Sequence, residues 1–61
     1  MKLRAAREKS GKTQAQVAEE TGVSVRVYQY YEAGIKLPRV DAALRMAAVL
    51  EATVEDLFGE E

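Results

Sequence analysis

Apolar residues recur along this chain at intervals of three and four positions, the period of an α-helix with one buried face. Glycine, serine and threonine residues interrupt the pattern and divide it into five short segments. The first helix is predicted over about Lys2 to Ser10. Leu3, Ala6 and Arg7 share one of its faces. Gly11 then supplies a natural stop.

The second predicted helix carries a capping signature. Thr13 is followed three positions later by Gln16, the spacing of a capping box in which each side chain satisfies a backbone N–H of the other. Gly22 ends this helix. Its inward face is predicted to contain Val17, Ala18 and Thr21.

The third helix is predicted to begin after a Ser24 cap and to run to Ala33, with Gly34 as its stop. Its apolar face is expected to hold Tyr28, Tyr31 and Ile35. The opposite side holds Val25, Arg26, Gln29 and Tyr30. Exposed tyrosines can stack on the bases of single-stranded nucleic acid, but this spacing favours core packing for all except Tyr30.

The corner between Gly22 and Ser24 joins the second and third helices through a very short turn. Such a turn sets two helices at a steep angle, which is the geometry of a helix-turn-helix, here over about residues 13–34. The second helix of such a pair can enter a groove about 12 Å wide.

The remaining segments are also helical. After a connection over residues 34–39, the fourth helix is predicted over roughly Val40 to Leu50, with an inward face of Val40, Ala43, Leu44, Ala47 and Leu50. Thr53 caps a short fifth helix that contributes Val54, Leu57 and Phe58. The sequence therefore predicts an all-α fold, a compact five-helix bundle that forms a single domain over residues 1–61.

Composition limits the chemistry of this domain. The chain has no cysteine and no histidine, so thiolate chemistry is excluded and the commonest metal ligand and general base are missing. We expect no enzyme, cofactor, metal site or small-molecule ligand. No run approaches the ~18 apolar residues of a membrane span, and no signal peptide is evident. The expectation is a soluble, cytoplasmic protein with no membrane partner.

The net charge of −1 hides an uneven distribution. Residues 1–39 hold eight Lys or Arg and four Glu, whereas residues 40–61 hold one Arg and six acidic residues. Binding to a polyanion needs a basic face rather than a basic total, because salt screens charges beyond roughly 10 Å. Alone, such blocks are also typical of solvated helix faces.

A series of spaced motifs covers essentially the whole chain. In order they are Leu3, Ala6-Arg7-Glu8, Gly11-Lys12-Thr13-Gln14, Val17-Ala18-Glu19, Gly22-Val23-Ser24, Tyr31-Glu32-Ala33-Gly34, Pro38, Leu44, Ala47, Leu50 and Thr53-Val54-Glu55-Asp56-Leu57-Phe58. This pattern resembles the Cro and phage-repressor family, also called XRE-like helix-turn-helix domains. The resemblance implies a lambda-repressor-like fold and sequence-specific binding of double-stranded DNA by a prokaryotic transcriptional repressor.

The resemblance also implies site residues. Base contacts are expected from Val25, Arg26, Gln29 and Tyr30, and phosphate contacts from Lys12, Thr13, Gln14, Lys36 and Arg39. Side-chain chemistry agrees, since Arg26 can bind guanine O6 and N7, Gln29 can bind adenine N6 and N7, and Val25 can pack on a thymine methyl. The alternative is that these residues form only the solvent face of a helix.

Two charged residues lie on apolar stripes. Arg7 shares a face with Leu3, and Glu32 lies beside Tyr31. A half-buried charge is costly unless it is paired, so we expect Arg7 and Glu32 to pair, as the resemblance also implies. The alternative is that Arg7 extends to solvent and Glu32 pairs with Lys36 at i, i+4.

We expect a homodimer on a palindromic operator, because two recognition helices related by a two-fold axis read two half-sites that lie about 34 Å, or a multiple of that distance, apart. The resemblance places the dimer surface around the fifth helix and the loop before it, here Leu50, Ala52, Val54, Leu57 and Phe58. The alternative is that these residues all belong to the core, as several of them are expected to do. The alternative function is a protein-interaction module, such as an antitoxin, on the same fold.

Four residues depart from the family pattern. Lys12 replaces an apolar residue and Thr21 replaces leucine, so both thin the core. Arg39 stands where a capping residue is expected, which leaves the fourth helix weakly capped. Glu51 replaces a glycine, so it must adopt a left-handed backbone or the helix must end differently.

Overall fold

The five predicted helices are all present in the computed structural model, which describes residues 1–59. They are α1 (Leu3–Lys9), α2 (Gln14–Thr21), α3 (Val25–Ala33), α4 (Val40–Leu50) and α5 (Val54–Phe58). No strand occurs among these residues, so the all-α prediction is confirmed. Glu60 and Glu61, part of the acidic C-terminal segment, lie outside the described residues.

The capping signals act as predicted. The Thr13 hydroxyl accepts a hydrogen bond from the backbone N–H of Gln16 at 3.1 Å, and the side-chain Oε1 of Gln16 accepts one from the backbone N–H of Thr13 at 2.7 Å. The Ser24 hydroxyl accepts from the Val27 N–H at 3.1 Å. Each bond satisfies a helix N-terminal group that would otherwise lack a partner, and this fixes where α2 and α3 begin.

One core joins all five helices. Its buried side chains are Leu3, Val17, Ala18, Tyr28, Tyr31, Met46, Ala47, Leu50 and Leu57. The Lys2 N–H donates to the Leu57 carbonyl at 3.0 Å, which ties the start of the chain to α5. Arg45 on α4 donates from Nε to the Thr21 carbonyl at 2.9 Å and so satisfies a carbonyl at the end of α2.

The predicted inward face of α4 is partly wrong. Val40 and Leu44 are 75% and 58% exposed, whereas Ala42 and Met46 are buried. Except for Asp41 and Arg45, every residue of this helix is apolar. Apolar spacing therefore fits more than one face of α4, and the sequence pattern alone does not show that Ala42 and Met46 face inward.

Ile35 was also expected on the inward face of α3, but its side chain is 67% exposed. The helix ends at Ala33, and Gly34 adopts the left-handed conformation with φ of 78°. The chain therefore leaves the helical register before Ile35, so a spacing of four residues from Tyr31 no longer returns to the same face.

The departures from the family pattern have structural consequences. Glu51 takes the left-handed backbone, with φ of 54°, and Arg39 begins α4 without a side-chain capping bond. Thr21 is fully buried, and its hydroxyl donates to the Val17 carbonyl at 2.7 Å. Lys12 is half-buried and pairs with Glu20 at 2.8 Å. The polar replacements of apolar residues thus each find a partner.

None of the helices within residues 1–59 has the length and hydropathy needed to cross a membrane. The same stretch contains no group of three acidic, histidine or cysteine side chains placed to hold a metal ion.

Candidate nucleic-acid interface

The corner between α2 and α3 is set by backbone hydrogen bonds. Gly22 has φ of 79°, and the Val23 N–H donates to the Ala18 carbonyl at 3.0 Å. This six-to-one bond around a left-handed glycine is the Schellman arrangement that terminates helices. Ser24 then begins α3 almost at once, so the two helices form the predicted helix-turn-helix.

The outer side of α3 is exposed to solvent. Val25, Arg26 and Gln29 are exposed and Tyr30 is half-buried, whereas Tyr28 and Tyr31 are buried in the core. The structure therefore brings the four expected base-contacting residues together on one solvent-facing side of a single helix. It also confirms that two of the three tyrosines belong to the core.

Tyr30 lies between two cations. Arg26 donates from Nη1 to the Tyr30 hydroxyl at 3.4 Å, and the Lys36 ammonium lies 5.4 Å from the centre of the Tyr30 ring. The second distance is within the range of a cation–π interaction. Lys36 therefore contacts Tyr30 rather than forming the alternative pair with Glu32, and Tyr30 is in contact with two positively charged side chains.

The expected pair between Arg7 and Glu32 is present. Arg7 Nε lies 2.6 Å from Glu32 Oε2, and the two side chains are only 12% and 5% exposed. Arg7 Nη2 contacts the other carboxylate oxygen at 3.4 Å, and Nη1 donates to the Lys12 carbonyl at 3.0 Å. The guanidinium thus holds α3 and the segment before α2 to α1.

The ionised form of Glu32 is favoured in spite of burial. Burial alone raises the pKa of a carboxyl group, but the interactions of Glu32 with Arg7, Tyr28 and Gln14 outweigh it and lower the pKa of Glu32. The same pair raises the pKa of Arg7. Burial, and then the nearby Glu32 carboxylate, raise the pKa of the Tyr28 phenol, so the ring beneath the pair stays neutral.

Gln14 connects this pair to the exposed side of α3. Its Nε2 donates to Glu32 Oε1 at 3.0 Å, and its Oε1 accepts from Gln29 Nε2 at 3.1 Å. Sequence reasoning assigned Gln14 to phosphate and Gln29 to a base but did not connect them. No local signal indicates this contact, because the two residues are 15 positions apart on different helices.

Comparison with known proteins agrees with this geometry. A family model described as a helix-turn-helix matches residues 3–57. The chain belongs to the Cro and phage-repressor, or XRE-like, helix-turn-helix family. It is 42% identical over 48 residues to the cryptic phage CTXphi transcriptional repressor RstR of Vibrio cholerae. That alignment covers 79% of this chain and 43% of RstR, so the chain spans less than half of that repressor. No solved structure matches the chain.

The expected phosphate-contacting residues of this helix-turn-helix domain fall into two groups. Lys12, Thr13 and Gln14 lie at the N-terminal end of α2. Lys36 and Arg39 are exposed in the connection that follows α3. Candidate contacts to the DNA phosphates therefore lie on both sides of the exposed face of α3. One group is at the start of α2, and the other follows the C-terminus of α3.

The expected dimer surface needs correction. Leu50 and Leu57 are 5% and 0% exposed and belong to the core, so their side chains are not available to a second copy. Both residues belong to the core that the five helices share. The other three members, Ala52, Val54 and Phe58, are half-buried.

Two of those three residues, Val54 and Phe58, line an apolar groove. It is lined by Leu37, Pro38, Val40, Ala43, Val54 and Phe58. Leu37 and Val40 are largely exposed, and Leu44 extends the apolar surface one turn further along α4. We call the exposed set Leu37, Val40 and Leu44 the α4 patch.

Proposed function

We propose that this chain binds double-stranded DNA sequence-specifically, as the DNA-binding domain of a prokaryotic transcriptional repressor. The observation that carries this proposal is the outer side of α3, where Val25, Arg26 and Gln29 lie together on a helix that is capped at both ends and tied to α1. A rigid helix with such a face suits the major groove. The printed function of RstR, a transcriptional repressor, supports the assignment.

The base contacts follow from the groups that this side presents. The Arg26 guanidinium donates to guanine O6 and N7, and the Gln29 amide pairs with adenine N6 and N7. Val25, at the start of α3, packs on a thymine methyl. Tyr30 contacts a base edge or a phosphate beside Arg26. Proteins of this kind act by binding, so we propose no catalytic activity.

The phosphate contacts hold α3 in register. Gln14 and the N-terminal N–H groups of α2 bind one strand, supported by Lys12 and Thr13. Lys36 and Arg39 bind phosphates on the other side of the groove. A protein with this function works in the cytoplasm, at the nucleoid.

We further propose a homodimer on a palindromic operator, formed through the α4 patch together with Val54 and Phe58. Exposed apolar residues that cluster beside a groove are typical of protein interfaces. On this surface Asp41 and Arg45 flank the patch and lie 3.6 Å apart, so they can exchange partners across a two-fold axis. Pairing two recognition helices sets the spacing of the half-sites.

Salt dependence tests the DNA-binding proposal directly. The affinity for random duplex DNA should fall as salt rises, with a log–log slope near −0.9 for each phosphate contacted. Arg26→Met should in addition remove a sequence preference selected from a random duplex library. Arg4→Met is the matched control, because Arg4 is an exposed arginine on α1 that pairs with Glu8 and lies outside the proposed interface. Absence of salt-sensitive binding at low ionic strength would contradict the proposal.

The α4 patch also favours a second candidate, a protein-interaction module such as an antitoxin. In that case the apolar groove holds a different protein, and α3 makes no base contacts. The selection experiment separates the two functions, since an interaction module enriches no duplex sequence.

A further inference from the structure

Four polar side chains form a continuous chain from α1 to the exposed side of α3. Arg7 donates to Glu32 at 2.6 Å, Gln14 donates to Glu32 at 3.0 Å, and Gln29 donates to Gln14 at 3.1 Å. The first members are nearly buried, and the last is exposed. The chain therefore runs from a fixed ion pair to a residue that is proposed to read a base.

The direction of every bond in this chain is set by its buried end. An ionised carboxylate can only accept hydrogen bonds, so Gln14 must turn its NH₂ group toward Glu32. Its carbonyl oxygen then faces Gln29 and can only accept. Gln29 must in turn direct its NH₂ group toward Gln14. The negative charge of Glu32 thus determines the orientation of the Gln29 amide, with Gln14 as the link between them.

This orientation decides what Gln29 offers to DNA. With one N–H donated to Gln14, the amide presents its carbonyl oxygen and its second N–H. Adenine offers the matching pair in the major groove, an N6 donor and an N7 acceptor. The reversed amide would present two N–H donors, which match the O6 and N7 acceptors of guanine.

We propose that Gln14 is a specificity-positioning residue, which transmits the polarity of the Arg7–Glu32 pair to Gln29 and thereby makes Gln29 select adenine over guanine. This inference rests on the proposed function, since it assumes that Gln29 reads a base. Gln14 uses one N–H for Glu32, and its second N–H serves the phosphate contact. Backbone docking and base selection therefore share one side chain.

The test is selection from a random duplex library with the full chain and three variants. Gln29→Ala identifies the base pair that Gln29 reads, because the preference disappears there. At that position the wild type should prefer adenine to guanine by about tenfold or more, the range of a good bidentate contact. Gln14→Met, which has similar length but no amide, should reduce this preference to about twofold or less, while the other positions keep theirs.

Lys12→Met is the matched control. It removes another expected phosphate contact, so it should weaken binding to all sequences and leave the adenine preference unchanged. A loss of preference in both variants would show that weakened docking alone is responsible and would overturn the inference.

Gln14→Lys gives an independent check with the opposite sign. An ammonium group has only donors, so it still bonds to Glu32 but now requires the Gln29 carbonyl to face it. The preference at this position should shift from adenine toward guanine. An adenine preference that persists in both Gln14 variants would overturn the role of Gln14 and leave the proposed function intact. A wild-type chain that enriches no sequence would overturn the proposed function itself.

Discussion

The Arg7 guanidinium lies 2.6 Å from the Glu32 carboxylate and joins α1 to α3 across the bundle. Both side chains are almost fully enclosed, and the same carboxylate also accepts from Gln14. The helix that carries the proposed base contacts is therefore held by a buried charge pair as well as by apolar packing. A pair of this kind costs desolvation, so its main effect is on orientation and on the penalty for losing one partner.

That penalty gives the first prediction. Arg7→Met leaves the Glu32 carboxylate buried without its cation and should lower the free energy of unfolding by about 3 kcal/mol or more. The double variant with Glu32→Met should recover much of the loss, because no unpaired charge remains. Urea unfolding of both variants and the wild type measures this. Arg4→Met, at an exposed pair, is the control and should change little. Equal losses in the single and double variants would contradict the prediction.

The second prediction concerns acid. The pKa of Glu32 is lowered from 4.5 in the folded protein, so between the two values the unfolded state binds more protons. Stability from this group is therefore fully present above pH 4.5 and is lost as the pH falls through the lowered pKa. Glu32→Gln lacks this contribution. The free energy of unfolding of this variant should lie below that of the wild type by a constant amount near neutral pH, and the difference should shrink below pH 4.5. Parallel stability curves down to about pH 3 would show that Glu32 does not titrate in this way.

Local signals account for what the sequence predicts correctly. Thr13, Ser24 and Thr53 each cap a helix through a bond to the third residue that follows, so the starts of α2, α3 and α5 depend on neighbouring residues alone. Gly22 and Gly34 end α2 and α3 by adopting the left-handed backbone conformation, and this signal is also local in the sequence. The helix-turn-helix corner is therefore fully encoded within a short window of sequence.

Contacts between helices account for the rest. The inward face of α4 is predicted wrongly because this helix carries apolar residues on nearly every side. Only the helices that pack against α4 determine that Met46, and not Leu44, enters the core. The family resemblance puts Leu50 and Leu57 on a dimer surface, but packing between the helices buries both side chains. The Gln14–Gln29 bond requires the two helices to be set at their final angle. None of these features has a counterpart in local spacing.

The third prediction concerns the end of α4. Glu51 adopts φ of 54°, a conformation that costs a non-glycine residue roughly 1–2 kcal/mol. Glu51→Gly removes this strain at some cost in unfolded-state entropy and should raise the free energy of unfolding by about 1 kcal/mol. Gly22→Ala is the reverse control. Its Cβ would meet nothing within 4 Å, so the φ of 79° alone should make it destabilising. Thermal unfolding of both variants decides whether the backbone conformation is responsible.

The fourth prediction compares a substitution at an exposed residue of α4 with one at a buried residue of α5. Val40→Lys changes a residue that is 75% exposed, so the monomer should stay folded. It should weaken binding to a two-half-site operator by about tenfold or more and leave single half-site binding nearly unchanged, because only dimerisation is lost. Leu57→Ala, at a fully buried residue, should instead unfold much of the protein. Equal losses on full and half operators after Val40→Lys would exclude the α4 patch as the dimer surface.

The last prediction uses the two roles assigned to Arg39, which starts α4 without a capping bond and is proposed to bind phosphate. Arg39→Ser supplies a capping hydroxyl and should raise the free energy of unfolding by about 1 kcal/mol. It also removes a cation, so DNA affinity should fall for all sequences and the salt slope should decrease by about 1. Arg39→Lys keeps the charge without adding a cap, so it should leave both stability and the salt slope near wild type. A more stable Arg39→Ser variant with an unchanged salt slope would support the capping role and exclude Arg39 from the phosphate contacts. The two roles can be separated in this way because only the salt slope depends on DNA.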